Sequence, residues 1–298
     1  MNNLKKLGLA VAGSTLVASS AYAGALDVSG NAKISMKSAD DDEVTGNSFS
    51  MDKGIKFTGS GDLDNGMSVS YLYKMSDSSH TSSNVLIDMG DAGVAGVGRG
   101  NSGAGIRTVR YALPTAGEEV WDDVDTDDNG IVGTGDTNAL YYSNTFGGVS
   151  FSGSYHKDDD TEKSFALTYS GLTDGLTIGY GGAEVGSTQD QMTMFVKYTM
   201  GGLTAAYQVA ELDNAGATAD EDATGMAVSF AVNESLSVSY GVWDVDMGTG
   251  VDEESSGVSA SYTSGGMTIG LVSNATDNVA GGTANEDTFK EVSVSFAF

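Results

Sequence analysis

The sequence contains no cysteine, one proline and only two histidines in 298 residues. Without cysteine the chain forms no disulfide, and two scattered histidines argue against a zinc site. His80 and His156 lie outside any nucleophile motif such as G-x-S-x-G, so the sequence predicts no enzyme. Pro114 is the single proline, and every strand-like segment therefore lacks the residue that cannot donate to a β-ladder.

Positive charge is also scarce. The 14 lysines and arginines are outnumbered by 41 aspartates and glutamates, which gives a formal net charge of −27 at pH 7. We expect no nucleic-acid partner, because phosphate binding requires positive charge. A field this negative instead favours cations near the protein.

Long apolar runs are missing, so we expect no transmembrane helix. Residues 1–23 have the features of a secretory signal peptide: Lys5 and Lys6 near the start, a short apolar core, and a small-x-small cleavage site at the end. We predict that its removal leaves residues 24–298 as a single domain. No composition shift or proline-rich linker divides that remainder.

The chain after residue 23 alternates between apolar and polar residues with a period of two. Leu26, Val28 and Ile34 share one face of the first segment, and Ser29 and Lys33 share the other. This alternation is typical of a β-strand with one apolar face. We count sixteen such segments: 25–37, 48–60, 66–76, 84–89, 94–99, 138–146, 149–157, 162–170, 176–184, 190–200, 203–211, 223–232, 236–246, 255–264, 267–274 and 286–298.

The connections between the segments are of two kinds. Short turns such as Gly147-Gly148 alternate with longer polar connections, which we place at 38–47, 77–83, 158–161, 185–189, 212–222, 247–254 and 275–285. Tyrosines of the apolar register recur at a fixed distance from the short turns, as in an aromatic girdle. An even number of strands with short turns at one end and longer loops at the other predicts an all-β fold, a 16-stranded antiparallel transmembrane β-barrel.

The longest connection, residues 99–137, differs from the rest in composition. It contains all three arginines and the only proline, together with eight acidic residues. Structureless inserts of this length inside a compact chain are uncommon and usually functional. We predict that this third external loop folds into the barrel and narrows its pore.

The chain ends with alternating apolar residues, Val292, Val294, Phe296 and Phe298. With the export signal, the sixteen segments and the long third loop, this ending resembles the general diffusion porins of Gram-negative outer membranes, of the alphaproteobacterial type. The resemblance implies a homotrimer in the outer membrane, in contact with lipid and lipopolysaccharide. It also implies that the barrel-assembly machinery reads the terminal Phe298.

The resemblance further implies that basic residues on the early strands face acidic residues of the third loop across the narrowest point. Here the polar register of the first three strands contains four lysines, Lys33, Lys37, Lys56 and Lys74. Lysine stands where the family favours arginine. The pore-constriction residues that we predict are Lys33, Lys56, Lys74, Arg99, Arg107, Arg110, Glu118, Glu119, Asp122 and Asp123. Such a lining predicts passive, cation-preferring diffusion of small hydrophilic solutes and ions.

One acidic stretch of the loop has the spacing of a calcium loop. Residues 125–136 fit the pattern D-x-[DN]-x-[DN]-G-x5-D. The candidate ligands are Asp125, Asp127, Asn129, the backbone carbonyl of Ile131 and Asp136. The last position is aspartate rather than the glutamate of an EF-hand, and no flanking helices are evident. We predict no required cofactor and treat Ca²⁺ as a candidate ligand of this loop.

Three other functions compete with a general diffusion channel. A substrate-selective porin of the same fold needs an aromatic ladder in the lumen, which the polar register does not contain. A secreted or surface acidic, calcium-binding, adhesin-like β-protein would carry G-G-x-G-x-D nonapeptide repeats, which the sequence lacks. An outer-membrane enzyme would need a catalytic constellation. The lysines of the apolar register near the external loops, Lys157, Lys163 and Lys290, suit lipopolysaccharide phosphates.

Overall fold

The fold is a closed antiparallel barrel of sixteen strands, seen in a computed structural model. The structure describes residues 26–39, 47–100, 104–124, 129–134, 138–157, 161–216, 219–248, 250–283 and 285–298. Each strand pairs with its neighbours in sequence, and β1 pairs with β16 to close the ring. The predicted all-β, 16-stranded antiparallel barrel is thereby confirmed. The proposed signal peptide, residues 1–23, lies outside the described residues.

The strands are seven to fourteen residues long. Their bounds are β1 Asp27–Ala39, β2 Phe49–Asp62, β3 Ser68–Ser76, β4 Ser79–Asp88, β5 Val94–Gly100, β6 Ala139–Phe146, β7 Val149–Lys157, β8 Thr161–Tyr169, β9 Leu176–Val185, β10 Gln189–Met200, β11 Leu203–Asn214, β12 Glu221–Ala231, β13 Leu236–Asp246, β14 Glu253–Ser264, β15 Met267–Asp277 and β16 Glu286–Ala297. Short 3₁₀ turns lie at Gly90–Ala92, Gly105–Thr108 and Val279–Gly281. Among the described residues, no helix is long and apolar enough to cross a bilayer.

Alternation along each strand separates the outer surface from the lumen. On β10, Met194, Val196 and Tyr198 are exposed on the outside, whereas Gln191 and Thr193 on the opposite face are buried. Successive side chains of a strand point to opposite faces, so the apolar register covers the outside of the barrel. Seven of the eight tyrosines of the predicted girdle are exposed on this outer surface, and the eighth, Tyr169, is half-buried. The seven are Tyr71, Tyr155, Tyr180, Tyr198, Tyr207, Tyr240 and Tyr262.

The short turns have the predicted glycine chemistry. Gly147 and Gly148, between β6 and β7, both have positive φ angles, 56° and 86°. A two-residue hairpin turn of type I′ needs this left-handed backbone at both positions, and glycine adopts it without steric cost.

One predicted external loop is wrong. The sequence predicts a polar connection at 77–83, but in the structure a two-residue turn follows β3, and β4 already begins at Ser79. The register of this hairpin shifts between Lys74 and Met75, where Thr81 has no opposite residue. A bulge of this kind inverts the phase of the alternation, which hides the first half of β4 from a period-two pattern.

Candidate pore constriction

The connection between β5 and β6 contacts the inner wall of the barrel. We call residues 101–138 the constriction loop, of which 104–124, 129–134 and Asn138 are described. The wall side chains that its residues contact, such as Ser152 and Gln208, belong to the inward polar register. The loop therefore lies inside the barrel rather than above its rim.

Polar wall residues hold the loop backbone at many points. The N–H groups of Gly105 and Ile106 donate to Ser152 on β7 and Ser164 on β8, at 2.8 and 3.2 Å. Further along the wall, Gln191 accepts from the N–H groups of Val132 and Gly133, Ser239 accepts from that of Ala116, and Asn274 donates to the carbonyls of Glu119 and Asp122. Buried backbone groups require such partners. These bonds place the loop along β7, β8, β10, β13 and β15.

Gln208 on β11 has a central place among these contacts. It is fully buried, and its Oε1 accepts from the N–H of Ala112 at 2.9 Å. Its Nε2 lies 2.7 Å from the Arg110 carbonyl, 3.2 Å from the Val109 carbonyl and 3.0 Å from Thr193 Oγ1. One side chain thus satisfies three backbone groups of the loop.

Apolar packing supports the same face of the loop. Ile106 and Trp121 of the loop are buried against wall residues such as Phe195 and Trp243. The two tryptophan rings lie 4.7 Å apart between centroids. Buried area of this kind contributes on the order of 25 cal/mol per Å². Trp243 and Phe195 are large aromatic residues in a mainly polar inward register, and this irregularity in the sequence indicates a packed lumen.

Ion pairs fix the acidic tip of the loop, residues 118–123, to the seam between β1 and β16. Lys33 Nζ lies 2.7 Å from Glu118 Oε1 and 2.6 Å from Glu291 Oε1. Lys37 Nζ lies 3.0 Å from Asp123 Oδ2 and 3.7 Å from Glu291 Oε2. The acidic tip and these two wall lysines are therefore in direct contact, with no open gap between them.

The remaining basic wall residues predicted for the constriction lie on different faces of the barrel. Lys56 on β2 and Lys74 on β3 are cross-strand partners, both exposed on the inward register, and neither makes an ion pair within the part of the chain that the structure describes. Arg99 shares the outward face of Val97 and lies opposite Ser83. The register therefore places Arg99 on the outer surface, in contrast to its predicted place in the pore. The glycine-rich β5 offers few side chains that could have fixed its phase in the sequence.

The other two arginines stay with the loop. Arg107 Nε donates to the Val132 carbonyl at 2.6 Å, which ties the start of the loop to its return. The Arg110 guanidinium lies 4.3 Å from the centroid of the Tyr111 ring, within the range of a cation–π contact.

Burial changes the acid–base properties of the loop tip. Burial raises the pKa of the Glu118 carboxyl, although the hydrogen bond and charge of Lys33 act in the opposite direction. Burial, together with the hydrogen bond and charge of the neighbouring Glu119, raises the pKa of Asp122 to about 7. The charge of the tip therefore changes near neutral pH.

The calcium hypothesis falls mostly on residues outside the described part. Asp125, Asp127 and Asp136 are not among the described residues. Asn129 and Ile131 are described and buried. Asn129 Oδ1 accepts from the Ile131 N–H at 3.2 Å, and its Nδ2 donates to the Arg110 carbonyl. These bonds hold the middle of the candidate site in a turn.

Sequence reasoning missed Glu291, which contacts both wall lysines from the last strand. Its side chain is 1% exposed. A signal was available: in a closed barrel the first and last strands must pair, and Lys37 lies directly opposite Glu291 in that register.

The chain is similar to known proteins over nearly its whole length. The model of the Gram-negative porin family matches residues 8–298. Comparison with curated protein sequences finds no match. A porin structure refined at 1.8 Å superposes with a TM-score of 0.71 at 20% identity, covering 92% of this chain and 100% of that one. Two triple mutants of Rhodopseudomonas blastica porin, with the same coverage of both chains, give TM-scores of 0.68 at 17% identity and 0.67 at 15%.

Proposed function

The chain belongs to the Gram-negative porin family, and from this premise we propose that it is a cation-preferring pore for small hydrophilic solutes. Membership places the barrel in the outer membrane as a diffusion channel, and the resemblance drawn from the sequence is confirmed. The cation preference and the range of solutes are the proposal. A substrate-selective porin remains the alternative within the same fold.

The acidic character of the chain supports the cation preference. Without the proposed signal peptide, 12 basic residues oppose 41 acidic ones, a formal net charge of −29. Where the loop meets β1 and β16, the carboxylates of Glu118, Asp123 and Glu291 surround two lysines, which leaves one negative charge in excess. Lys56 and Lys74 act in the opposite direction on the early strands. A narrow passage with a net negative lining concentrates cations and repels anions.

The reversal potential of the refolded protein in a planar bilayer, under a tenfold KCl gradient, tests this function. We expect stepwise conductance with a reversal potential of the sign given by K⁺ permeation. Anion preference would contradict the charge argument and leave the channel intact. A correctly folded barrel without conductance would contradict passive diffusion itself.

Three partner assignments belong to the same proposal. We infer a homotrimer, recognition of Phe298 by the barrel-assembly machinery, and contact of outward lysines with lipopolysaccharide. Phe298 is 79% exposed, and Lys163 is held by Glu184 at 2.9 Å on the outer face. Cross-linking of the detergent-solubilised protein tests the trimer, with a ladder that ends at three copies as the expected result.

Calcium binding to residues 125–136 is part of the proposal as well. Carboxylate oxygens at the first, third and last positions suit a hard cation, which would reduce repulsion among the aspartates. Isothermal titration with CaCl₂ is expected to give one site per chain, lost in Asp125→Asn/Asp127→Asn and kept in Glu286→Gln. Equal heats from all three proteins would contradict the site.

A further inference from the structure

Glu291 occupies an unusual place for a carboxylate in this barrel. It lies on the inward face of β16 beside β1, with its side chain 1% exposed. Burial of an isolated charge is costly, so a buried carboxylate needs positive partners. Two are present, because Lys33 Nζ lies 2.6 Å from Oε1 and Lys37 Nζ lies 3.7 Å from Oε2.

Each of these lysines continues to the loop. Lys33 reaches Glu118 at 2.7 Å, and Lys37 reaches Asp123 at 3.0 Å. Glu118, Asp123 and Glu291 offer carboxylate oxygens within 4.8 Å of one another. Carboxylates at that spacing repel unless cations stand between them. The lysines supply those cations, and Glu291 holds both lysines from the side away from the loop.

We propose that Glu291 is the positioning residue of the constriction and a determinant of its ion preference. It fixes the ammonium groups of Lys33 and Lys37, which in turn anchor Glu118 and Asp123 of the loop tip. Its negative charge also adds to those of Glu118 and Asp123. The cluster of three carboxylates and two lysines therefore keeps one negative charge in excess. The part of the inference that concerns ion preference rests on the function proposed above.

The variant Glu291→Gln removes the negative charge of this side chain and nearly preserves its shape. The cluster then becomes neutral, and both lysines lose a partner. We expect the cation-to-anion permeability ratio to fall about two- to fivefold at 0.1 M KCl, the size of effect that one charge within a Debye length of a narrow path produces. We also expect more open-channel current noise, because the loop tip is less firmly held.

Two further variants distinguish charge from anchoring. Lys33→Met/Glu291→Gln restores one excess negative charge but not the contact to Glu118, so the permeability ratio should recover while the noise stays high. Glu291→Asp keeps the charge and should keep the ratio. Glu286→Gln, on the same strand at an exposed outward position, is the matched control and should change neither quantity.

A folded Glu291→Gln barrel whose cation-to-anion permeability ratio and open-channel current noise equal those of the wild type would overturn the proposal. A permeability ratio that stays low in Lys33→Met/Glu291→Gln would overturn its electrostatic part. If Glu291→Gln does not fold, Lys37→Met tests the same network, with an expected rise in ratio and noise and the same refutation by no change. Protease V8 cleavage after Glu119 needs no conduction. Equal cleavage rates in wild type and Glu291→Gln would therefore refute the anchor even where the channel function had failed.

Discussion

The contact of Gln208 with the constriction loop leads to a quantitative prediction. Replacement by leucine keeps the volume of the side chain but removes the acceptor for Ala112 and the donor for the carbonyls of Val109 and Arg110. A buried group left without a partner costs about 1–3 kcal/mol. Because the Arg110 carbonyl keeps its bond from Asn129, two groups lose their partner outright, for a total of about 2–6 kcal/mol.

This free energy acts on the docking of the loop, since the barrel strands keep their own ladders. A loss of about 2–6 kcal/mol, at about 1.4 kcal/mol per factor of ten, lowers the ratio of docked to undocked loop by roughly 30- to 20,000-fold. We expect Gln208→Leu to show larger and noisier single-channel conductance and faster tryptic cleavage at Arg107 and Arg110. Thr204→Ala is the matched control, because its hydroxyl faces the lumen of the same strand and bonds to Thr199.

The reasoning would be refuted by a folded Gln208→Leu barrel with the conductance and trypsin resistance of the wild type. Such a result would mean that the apolar contacts around Trp121 hold the loop without help from polar groups. A change shared by Thr204→Ala would instead assign the effect to the barrel wall.

Three further predictions concern charge and packing. With the pKa of Asp122 raised to about 7, the carboxyl ionises as the pH rises from 6 to 8, so the cation-to-anion permeability ratio should increase over this range. Asp122→Asn should remove that increase, and a permeability ratio of the wild type that does not change with pH would contradict the prediction. Trp243→Ala opens a cavity beside Trp121 and lowers the free energy of unfolding by about 3–5 kcal/mol. The fluorescence of Trp121 should then shift to the red, and its ring should become accessible to quenching by acrylamide. Unchanged quenching would show that other contacts hold the ring. Lys56→Glu/Lys74→Glu should raise the permeability ratio in reversal-potential measurements, and an unchanged ratio would place these lysines away from the ion path.

The strands were predictable because their pattern depends on local alternation. The segment 236–246 coincides with β13, Leu236–Asp246, since the outward residues in its first seven positions are all apolar and a turn precedes it. The start of β4 was missed because a bulge at Thr81 inverts the phase. Arg99 was assigned to the wrong face because its strand consists largely of glycine and small residues.

The constriction was predictable in composition but not in detail. The acidic loop and the inward lysines are visible in the sequence, whereas the choice of partners depends on distances between segments far apart in the chain. Serine, threonine and glutamine line the inside of many strands, so no local feature distinguishes Gln208, which holds the loop, from Thr204, which does not. Glu291 was overlooked for a related reason, because its partners lie on the first strand.

The seam between the first and last strands also orders the assembly of the pore in time. The backbone groups of Phe298 bond to those of Gly30, and the contact between Lys33 and Glu291 forms at the same junction. Contacts between the two ends of a chain form late, because they carry the entropy of closing the largest loop. The contacts of Glu291 with Lys33 and Lys37 can therefore form only after the ring has closed. The other wall contacts of the loop do not depend on that seam, so closure of the ring adds the last of the ion pairs at the constriction.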